Sequence, residues 1–376
     1  MSKIEKAARS FAGEVTGRAF SAAHSIAPDP RTKKYLVNAR RALKVLSLVP
    51  HVVGSRLRLS EDPFIIHHWI TLRCNCFCES CMWKNNSAAE MTTTEIKRFY
   101  DQAADQGFGG ILFTGGEPLL RKDMPEIYRY AKRKCGLKIG AATNGFFLEK
   151  RVDEFGDYID ALLVSIDSVD PEKHDRIRGV PGLFDRLVRG IEKTRKKYPF
   201  IHLFVNSCLD DNSVDEAEDI IRLASDLGVP VTFDVISTVQ HTAEDGAVDR
   251  KGYLISSYEK ISEALHKVRE AKKRGASVFN SEHYLAHFDR GKVPYRCRYP
   301  RVFLRVMSGG DVEDCLRIDQ PIANLRTTPL KKILKMNRMK TLRNDAEKCW
   351  TCSSPTMVDC SYFWDNPLEL LSEFAP

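Results

Sequence analysis

Strand-like and helix-like segments alternate over residues 64–275, and this alternation limits the possible folds more than any other feature of the 376-residue chain. Six apolar runs are separated by stretches with the spacing of amphipathic helices. The runs cover 64–72, 109–115, 138–144, 161–167, 202–209 and 230–237, and the helix-like stretches cover 91–106, 123–135, 149–158, 183–198, 213–227 and 257–275. This order predicts repeated βα units in a parallel sheet or barrel, with functional residues at the carboxyl ends of the strands.

Two further segments flank the alternating region. Residues 281–376 contain short strand-like pieces and five cysteines, so we expect a small α+β domain there. Residues 1–62 precede the first strand, and Asp29 and Pro30 suit the N-cap and first turn of a helix. The sequence therefore predicts a helical N-terminal extension (1–62), a partial (β/α)6 parallel barrel (63–280) and a small C-terminal α+β domain (281–376).

The positive charge of the chain is concentrated near its start. The formal net charge is +8, and residues 1–60 hold 12 Lys and Arg against 3 Asp and Glu. A helix there would either pack on the main domain with its charges solvated or lie on an anionic membrane. No nucleic acid is expected as a partner, because no recognised reader motif accompanies the charge.

Neither a membrane span nor a secretory signal is recognisable in the sequence. No uncharged apolar run approaches the roughly 18 residues needed to cross a bilayer, and the first residues lack a compact apolar h-region. We expect a cytoplasmic protein with peripheral membrane contact through residues 1–60.

Cysteine usage indicates metal or redox chemistry. Cytoplasmic thiols stay reduced, so the eleven cysteines are not expected to form disulfides, and nine of them fall in two groups. In the first group, Cys74, Cys78 and Cys81 follow the spacing Cys-x3-Cys-x2-Cys. Such a loop can hold three corners of a four-iron four-sulfur cluster and leave one iron open. A tetrahedral zinc site that also uses Cys76 is the alternative.

Three short motifs close the second, third and fourth strand-like runs. They are TGGEP (114–118), TNG (143–145) and SIDS (165–168), the last followed by HDRIRG (174–179). Each alone is ordinary turn chemistry. In this order, after a Cys-x3-Cys-x2-Cys loop on the first strand, they form a specific constellation.

This constellation resembles the radical S-adenosylmethionine (radical SAM) enzymes over about residues 66–237. The resemblance implies that Cys74, Cys78 and Cys81 bind a four-iron four-sulfur cluster whose open iron is chelated by S-adenosylmethionine. It also implies a set of residues that contact or line the S-adenosylmethionine site: Gly115, Gly116, Glu117, Thr143, Asn144, Ser165, Asp167 and Arg178.

Within that set, the resemblance implies more specific roles. The GGE stretch looks like the motif that contacts the methionine amino group. Ser165 and Arg178 match positions that hold the methionine carboxylate in related enzymes, where a cation is a charge-assisted partner. Cys76 takes the place of a residue that is commonly apolar in the family, and we expect it to be buried without a ligand role.

The resemblance also implies the reaction. In that family, an electron from the reduced cluster cleaves S-adenosylmethionine to methionine and a 5′-deoxyadenosyl radical, which abstracts hydrogen from an unactivated carbon. A reducing partner such as flavodoxin or ferredoxin is implied with it.

The C-terminal cysteines are similar to the SPASM/twitch extension of radical SAM enzymes. Cys297 and Cys315 precede a distant Cys-x2-Cys pair, Cys349 and Cys352. A full SPASM domain needs more cysteines, so the resemblance implies the shorter twitch form with one auxiliary four-iron four-sulfur cluster on these four residues. Cys360 is a candidate substitute for one of them, and zinc is the alternative metal.

The substrate is expected over the strand ends, between the S-adenosylmethionine site and the auxiliary cluster. Candidates for catalytic or substrate contacts are Asn206, Asp234, Ser237, Glu282 and His283. The basic N-terminal segment favours a membrane-associated lipid or isoprenoid as substrate. The alternatives are a peptide, a soluble small molecule such as an amino sugar, and a non-enzymatic iron-sulfur or zinc protein for electron transfer or scaffolding.

Overall fold

The computed structural model describes residues 62–78, 80–81, 89–236, 239–242, 246–249, 255–289, 293–318, 320–366 and 369. The predicted N-terminal extension, apart from its last residue, lies outside these ranges, as does Ser237. The described residues up to Asn366 belong to one compact unit. None of the described helices is long and apolar enough to cross a bilayer.

The strand order confirms the predicted βα architecture. The strands are β1 (Ile65–Thr71), β2 (Gly110–Gly115), β3 (Lys138–Thr143), β4 (Ala161–Ser165), β5 (His202–Leu209), β6 (Val231–Val235), β7 (Val239–Thr242), β8 (Gly246–Asp249), β9 (Phe303–Val306), β10 (Asp311–Val312) and β11 (Ala323–Asn324). One sheet has the order β11-β10-β9-β1-β2-β3-β4-β5-β6, and neighbours from β1 to β6 pair in parallel. The six predicted strand runs match β1–β6 to within two residues, and these strands form an open, partial (β/α)6 barrel. The pair β7–β8, which is antiparallel and separate, was not predicted.

Helices connect the strands as the periodicity predicts. They are α1 (Thr93–Gln106), α2 (Met124–Arg129), α3 (Leu148–Phe155), α4 (Pro171–Arg178), α5 (Leu183–Lys197), α6 (Ala217–Asp226), α7 (Tyr258–Lys273), α8 (Glu282–Ala286), α9 (Tyr299–Val302), α10 (Leu330–Leu334), α11 (Asn337–Ala346) and α12 (Pro355–Asp365). The predicted helix-like stretches correspond to α1, α2, α3, α5, α6 and α7. Helix α4 was not predicted from the sequence.

Local capping chemistry explains where helices beside the site begin and end. At the start of α1, Thr92 accepts a hydrogen bond from the backbone of Glu95, whose side chain bonds back to Thr92, and Gly107 ends the helix in the left-handed region. The shorter α4 starts at the N-cap Asp170 and ends at Gly179, also left-handed. These caps fix how each helix leads into and out of the sheet.

The sheet has two chemically different faces, because side chains alternate along each strand and paired residues of neighbouring strands share a face. One face packs on the helices and is fully buried, with Ile139, Val164 and Val205 in the main core. The opposite face, called the inner face here, holds half-buried residues. Across the paired strands it carries Leu112, Gly140, Ala142, Leu163, Ser165, Phe204, Asn206, Cys208 and Asp234.

The segment beyond residue 280 extends the same sheet. Strand β9 pairs in parallel with β1, and β10 and β11 follow in antiparallel order. This addition of β9 to the sheet was not predicted, because four residues carry too little pattern to name a partner strand. The domain division at residue 280 stays a prediction.

A half-buried carboxyl group on the inner face connects β6 to the C-terminal segment. Asp234 Oδ2 accepts a hydrogen bond from Ser354 Oγ at 3.3 Å. Nearby, Tyr284 Oη donates to the carbonyl of Ser353 at 2.9 Å and accepts from Val235 N at 3.1 Å. Burial raises the pKa of Asp234 to about 7, although the bond from Ser354 acts in the opposite direction.

We predict that Asp234→Asn changes the pH dependence of stability. In an unfolded chain an aspartic acid ionises near its ordinary pKa of about 3.9. The folded state keeps the carboxyl group protonated up to about pH 7. The contribution of this group to the free energy of unfolding is therefore fully present below about pH 4 and is lost as the pH rises to about 7. The variant cannot ionise, so its free energy of unfolding should rise relative to that of the parent over this range, by up to about 4 kcal/mol.

Urea unfolding at stepped pH values between about 4 and 8 measures this difference. Asp226→Asn, at an exposed position at the end of α6, is the matched control and should track the parent protein. A difference between Asp234→Asn and the parent that stays constant with pH would contradict the prediction.

Candidate functional site

One carboxylate anchors the point where β1 leads into the cysteine loop. Glu90 accepts hydrogen bonds from Thr71 Oγ1 at 2.5 Å and Arg73 Nε at 2.7 Å, and it pairs with Arg121 Nη1 at 3.2 Å. Partial burial would raise the pKa of Glu90, but these partners hold it below its ordinary value. Glu90 was not predicted as a site residue, because no spacing rule connects it to the cysteines.

Three sulfur atoms lie together in the loop, those of Cys74, Cys76 and Cys78. The side chain of Cys76 lies beside those of both neighbouring cysteines, and the backbone nitrogen of Cys76 lies 3.4 Å from Cys74 Sγ. The Cys76 side chain lowers the pKa of Cys74 and lowers that of Cys78 to about 6, where the positive charge of Arg178 also contributes. The pKa of Cys76 is raised.

The far side of the loop is held by the end of α4. Phe77 N donates to the carbonyl of Arg178 at 3.0 Å, and a Cβ atom on Gly179 would lie 3.0 Å from Phe77 Cβ. At the end of the loop, Cys81 N donates to the carbonyl of Cys78 at 3.3 Å. The backbone around Cys78 is therefore held by the end of α4 and by a turn within the loop.

Gly115 and Gly116 are needed because β2 ends against the backbone that leaves β1. A Cβ atom would come within 2.1 Å of the Thr71 carbonyl oxygen at Gly115 and of the Arg73 carbonyl oxygen at Gly116. Gly115 also has a φ of 126°, which side chains disfavour. The N–H of Gly116 donates to Thr71 O at 2.8 Å, so the GGE turn and the cysteine loop form one unit.

Glu117 points into the protein and joins the ends of β2 and β3. Its side chain is 0% exposed, and Oε1 accepts from Leu119 N and Thr143 Oγ1, both at 2.9 Å. Oε2 accepts from Asn144 N at 2.8 Å. Burial raises the pKa of Glu117 to about 7, and these bonds oppose that shift. The carboxylate therefore acts inside the structure, and a contact of the GGE stretch with S-adenosylmethionine stays a prediction.

Asn144 lies between the GGE turn and the cysteine loop. Its side-chain amide donates to Asn75 Oδ1 at 3.0 Å and lies 3.1 Å from Cys76 Sγ. The structure thus brings TNG, GGE and the cysteines into direct contact, as expected from their positions at neighbouring strand ends.

The fourth strand end carries a buried ion pair. Arg178 Nη2 lies 2.6 Å from Asp167 Oδ2, and Asp167 Oδ1 accepts from Cys208 N at 3.1 Å. Arg178 Nη1 also lies 4.0 Å from Cys78 Sγ. Ser165 ends β4 on the inner face and pairs with Asn206 of β5. Arg178 therefore connects the cysteine loop to the strand ends that hold Ser165 and Asp167.

The C-terminal cysteines share one neighbourhood. Cys297 is buried and packs beside Cys360. The pKa of Cys315 is raised, mainly by burial and also by the thiols of Cys297 and Cys352. The pKa of Tyr295 is raised in the same way, mainly by burial and also by four thiols of this group. The four thiols around Tyr295 are those of Cys352, Cys297, Cys349 and Cys360. The structure thus groups all five cysteines, including Cys360.

The substrate candidates divide into two sets. Asn206 and Asp234 lie on the inner face near the carboxyl ends of β5 and β6. The other two lie on α8, where Glu282 pairs with Arg269 of α7 at 2.9 Å and the His283 ring stacks on Tyr362 of α12 at 3.7 Å. Ser237 lies outside the described residues.

Thiols dominate both candidate metal centres. Among the residues that the structure describes, no three His, Cys, Asp or Glu side chains are already arranged around a single ion. Grouped cysteines on fixed backbone are nevertheless the donor set that iron-sulfur clusters use. The side chains of the loop therefore fit such a cluster in their chemistry.

Comparison with known proteins places these features in a family. Residues 70–224 match the family described as the radical SAM superfamily. The AdoMet-dependent heme synthase of Methanosarcina barkeri is 31% identical over 324 residues, which cover 79% of this chain and 90% of that protein. A probable GTP 3′,8-cyclase of Methanosarcina acetivorans is 28% identical over 73% of this chain and 84% of that protein.

A solved structure shares the fold. Streptococcus suis SuiB bound to its precursor peptide SuiA has a TM-score of 0.61 and 17% identity, over 94% of this chain and 84% of that chain. Because the similarity covers 94% of this chain, it includes most of the segment beyond residue 280. The predicted resemblance is thereby confirmed, and the chain belongs to the radical SAM superfamily, whose enzymes use a four-iron four-sulfur cluster with S-adenosylmethionine and need a reductant.

Proposed function

We propose that Cys74, Cys78 and Cys81 hold the four-iron four-sulfur cluster at which this enzyme cleaves S-adenosylmethionine. The observation that carries the proposal is the contact of the cysteine loop with the GGE and TNG turns through Asn144. When bound, the reduced cluster supplies the electron that releases a 5′-deoxyadenosyl radical from S-adenosylmethionine, and the radical takes hydrogen from an unactivated carbon of the substrate.

The S-adenosylmethionine site is proposed at the carboxyl ends of β2, β3 and β4. The backbone of residues 115–117 faces the loop, where the absence of Cβ atoms at two positions permits close approach. Arg178, 15% exposed and paired with Asp167, supplies a cation for a carboxylate. Ser165 and Asn144 complete the proposed wall, and flavodoxin or ferredoxin is the proposed reductant.

A second cluster is proposed at the C-terminal cysteines. Cys297, Cys315, Cys349 and Cys352 are the proposed ligands, with Cys360 as a substitute. Three of the four ligands and Cys360 lie around Tyr295, and Cys315 is near Cys297 and Cys352, which supports the assignment. Asn206 and Asp234 lie on the inner face near the carboxyl ends of β5 and β6, and they are the proposed substrate contacts.

A membrane-associated lipid or isoprenoid is the proposed substrate class. The proposal rests on the basic segment 1–60, which lies outside the described residues. The heme synthase relative supports a second candidate, a precursor of heme, and the peptide bound to SuiB supports the peptide alternative. The non-enzymatic alternative is wrong, because the family and the relatives are enzymes.

Cys78→Ala should remove the first cluster. Losing one of three ligands on a short loop leaves the iron without its full set of thiolates, so reconstituted protein should contain about four fewer irons per chain. Formation of 5′-deoxyadenosine from S-adenosylmethionine should disappear with them. Iron and sulfide analysis with nucleoside detection after anaerobic reconstitution measures both.

Cys208→Ala is the matched control for this experiment, because Cys208 lies on the inner face of β5 and has no proposed ligand role. It should keep its iron and its nucleoside release. A Cys78→Ala protein with a full iron content, or zinc at both cysteine groups of the parent protein, would contradict the proposed function.

Arg178→Ala should weaken binding of S-adenosylmethionine by about 10- to 100-fold, the range expected when a charged hydrogen bond is lost. Arg176→Ala is the control, because Arg176 is an exposed arginine on the same helix. Equilibrium dialysis of reconstituted protein measures the affinity, and Arg178→Lys should recover part of it. An unchanged affinity in Arg178→Ala would remove this residue from the proposed site.

The lipid proposal predicts that the full-length protein binds anionic phosphatidylglycerol vesicles but not neutral phosphatidylcholine vesicles, and that added salt weakens the binding. Co-sedimentation measures it. A triple change to Gln in the basic segment, at Lys33, Lys34 and Arg40, should reduce binding severalfold.

The control carries the same charge change at exposed positions of the C-terminal region. It replaces Lys331, Lys332 and Lys335 with Gln and should bind like the parent protein. Equal binding of both variants, or no binding to anionic vesicles, would overturn the lipid proposal and leave the heme-precursor and peptide candidates.

A further inference from the structure

The side chain of Asn144 is directed at the centre of the cysteine loop. Its Nδ2 lies 3.0 Å from Asn75 Oδ1, 3.1 Å from Cys76 Sγ and 3.8 Å from Cys74 Sγ. Asn144 is 7% exposed, so these contacts are sheltered from water. One amide therefore touches three successive residues that begin at the first predicted ligand.

Two other bonds determine which way this amide faces. Asn144 Oδ1 accepts from Phe146 N at 3.0 Å, and Asn144 N donates to Glu117 Oε2 at 2.8 Å. An amide oxygen that accepts a backbone N–H must turn its NH2 group to the opposite side. The NH2 group therefore faces the sulfur atoms.

Cys76 is suited to receive this contact. It is 5% exposed and belongs to the main core, so its thiol is not available at the surface. Its backbone nitrogen lies 3.4 Å from Cys74 Sγ, and its own sulfur lies 3.1 Å from the Asn144 amide. An apolar side chain at position 76 would fill the space but could not accept the N–H.

We propose that Asn144, acting through Cys76, is a positioning residue that fixes the cluster loop and sets the reduction potential of the cluster. The inference rests on the proposed function, because it requires that Cys74 and Cys78 are ligands. Outer contacts orient metal ligands, and N–H groups near ligand sulfur stabilise the reduced, more negative state of a cluster. Removing the amide or its acceptor should therefore make the cluster harder to reduce.

The test compares three variants of the full chain after anaerobic reconstitution without S-adenosylmethionine. Asn144→Leu removes the amide at similar volume, Cys76→Val removes the acceptor, and Cys76→Ser keeps an acceptor. Each should keep its iron. Redox titration followed by electron paramagnetic resonance should show a reduction equilibrium about tenfold less favourable in Asn144→Leu and Cys76→Val, equal to 59 mV for one electron. Cys76→Ser should stay near the parent.

Two further proteins exclude a general loss of stability as the cause. In the double variant Asn144→Leu/Cys76→Val, the shift in reduction potential should be no larger than in either single variant, because the two substitutions remove the same contact. Asn280→Leu removes another buried asparagine, which bonds to the backbone of Phe233 on β6, and should leave the potential unchanged.

Each outcome has a distinct meaning. Unchanged potentials in Asn144→Leu and Cys76→Val, or shifts that add in the double variant, would overturn the inference while the proposed function stands. Loss of iron from Cys76→Val and Cys76→Ser, with iron retained in Cys78→Ala, would show that Cys76 is itself a ligand and would overturn the proposed ligand set. If Asn144→Leu does not load iron, Asn144→Asp takes its place, because it puts an acceptor against Cys76. Asn144→Asp should lower the reduction potential of the cluster, and an unchanged potential would equally overturn the inference.

Discussion

The buried carboxylate of Glu117 is the interaction on which the geometry of the site depends. Since the side chain is inaccessible to water, its two oxygens must find donors within the protein, and they find them at Leu119, Thr143 and Asn144. These bonds join the carboxyl end of β2 to that of β3. A change that leaves one of these buried groups without its partner costs about 1–3 kcal/mol, so the two strand ends are held together strongly.

Glu117 is connected to the cysteine loop through Asn144. Asn144, fixed by the carboxylate, contacts Asn75 and Cys76. On the other side, the backbone N–H of Phe77 donates to the carbonyl of Arg178. The side chain of Arg178 pairs with Asp167, which accepts a hydrogen bond from the backbone of β5. The middle of the loop is therefore clamped between β3 and the β4–β5 edge. A loop held in this way presents its thiols in a fixed arrangement, which is the preorganisation that a metal centre requires.

The sequence predicts the framework of this site better than its internal contacts. Alternating patterns place β1–β6 and their helices, and the motifs at strand ends identify residues that the fold brings together. It could not predict that Glu117 turns inward, that Asn144 contacts Cys76, or that β9 pairs with β1. Each of these depends on a long-range pairing, and local periodicity carries no information about the partner. Glu282 and His283 were candidates from their place at the junction of the predicted domains, and the sequence could not show that they contact α7 and α12.

The side chains of the inner face bear on how a hydrogen-abstracting radical can be made selective. Leu112, Leu163 and Phe204 lie toward its middle, while Ser165, Asn206 and Asp234 lie toward the carboxyl ends of their strands. A radical strong enough to take hydrogen from an unactivated carbon does not discriminate by bond strength, so selectivity must come from position. Polar groups near the strand ends can orient a substrate, and the apolar floor offers no competing hydrogen bonds. Because Ser353 and Ser354 bond to Tyr284 and Asp234, the C-terminal segment that carries Cys352 is fixed to this wall. The inner face and the segment that carries Cys352 are therefore held together by these two hydrogen bonds.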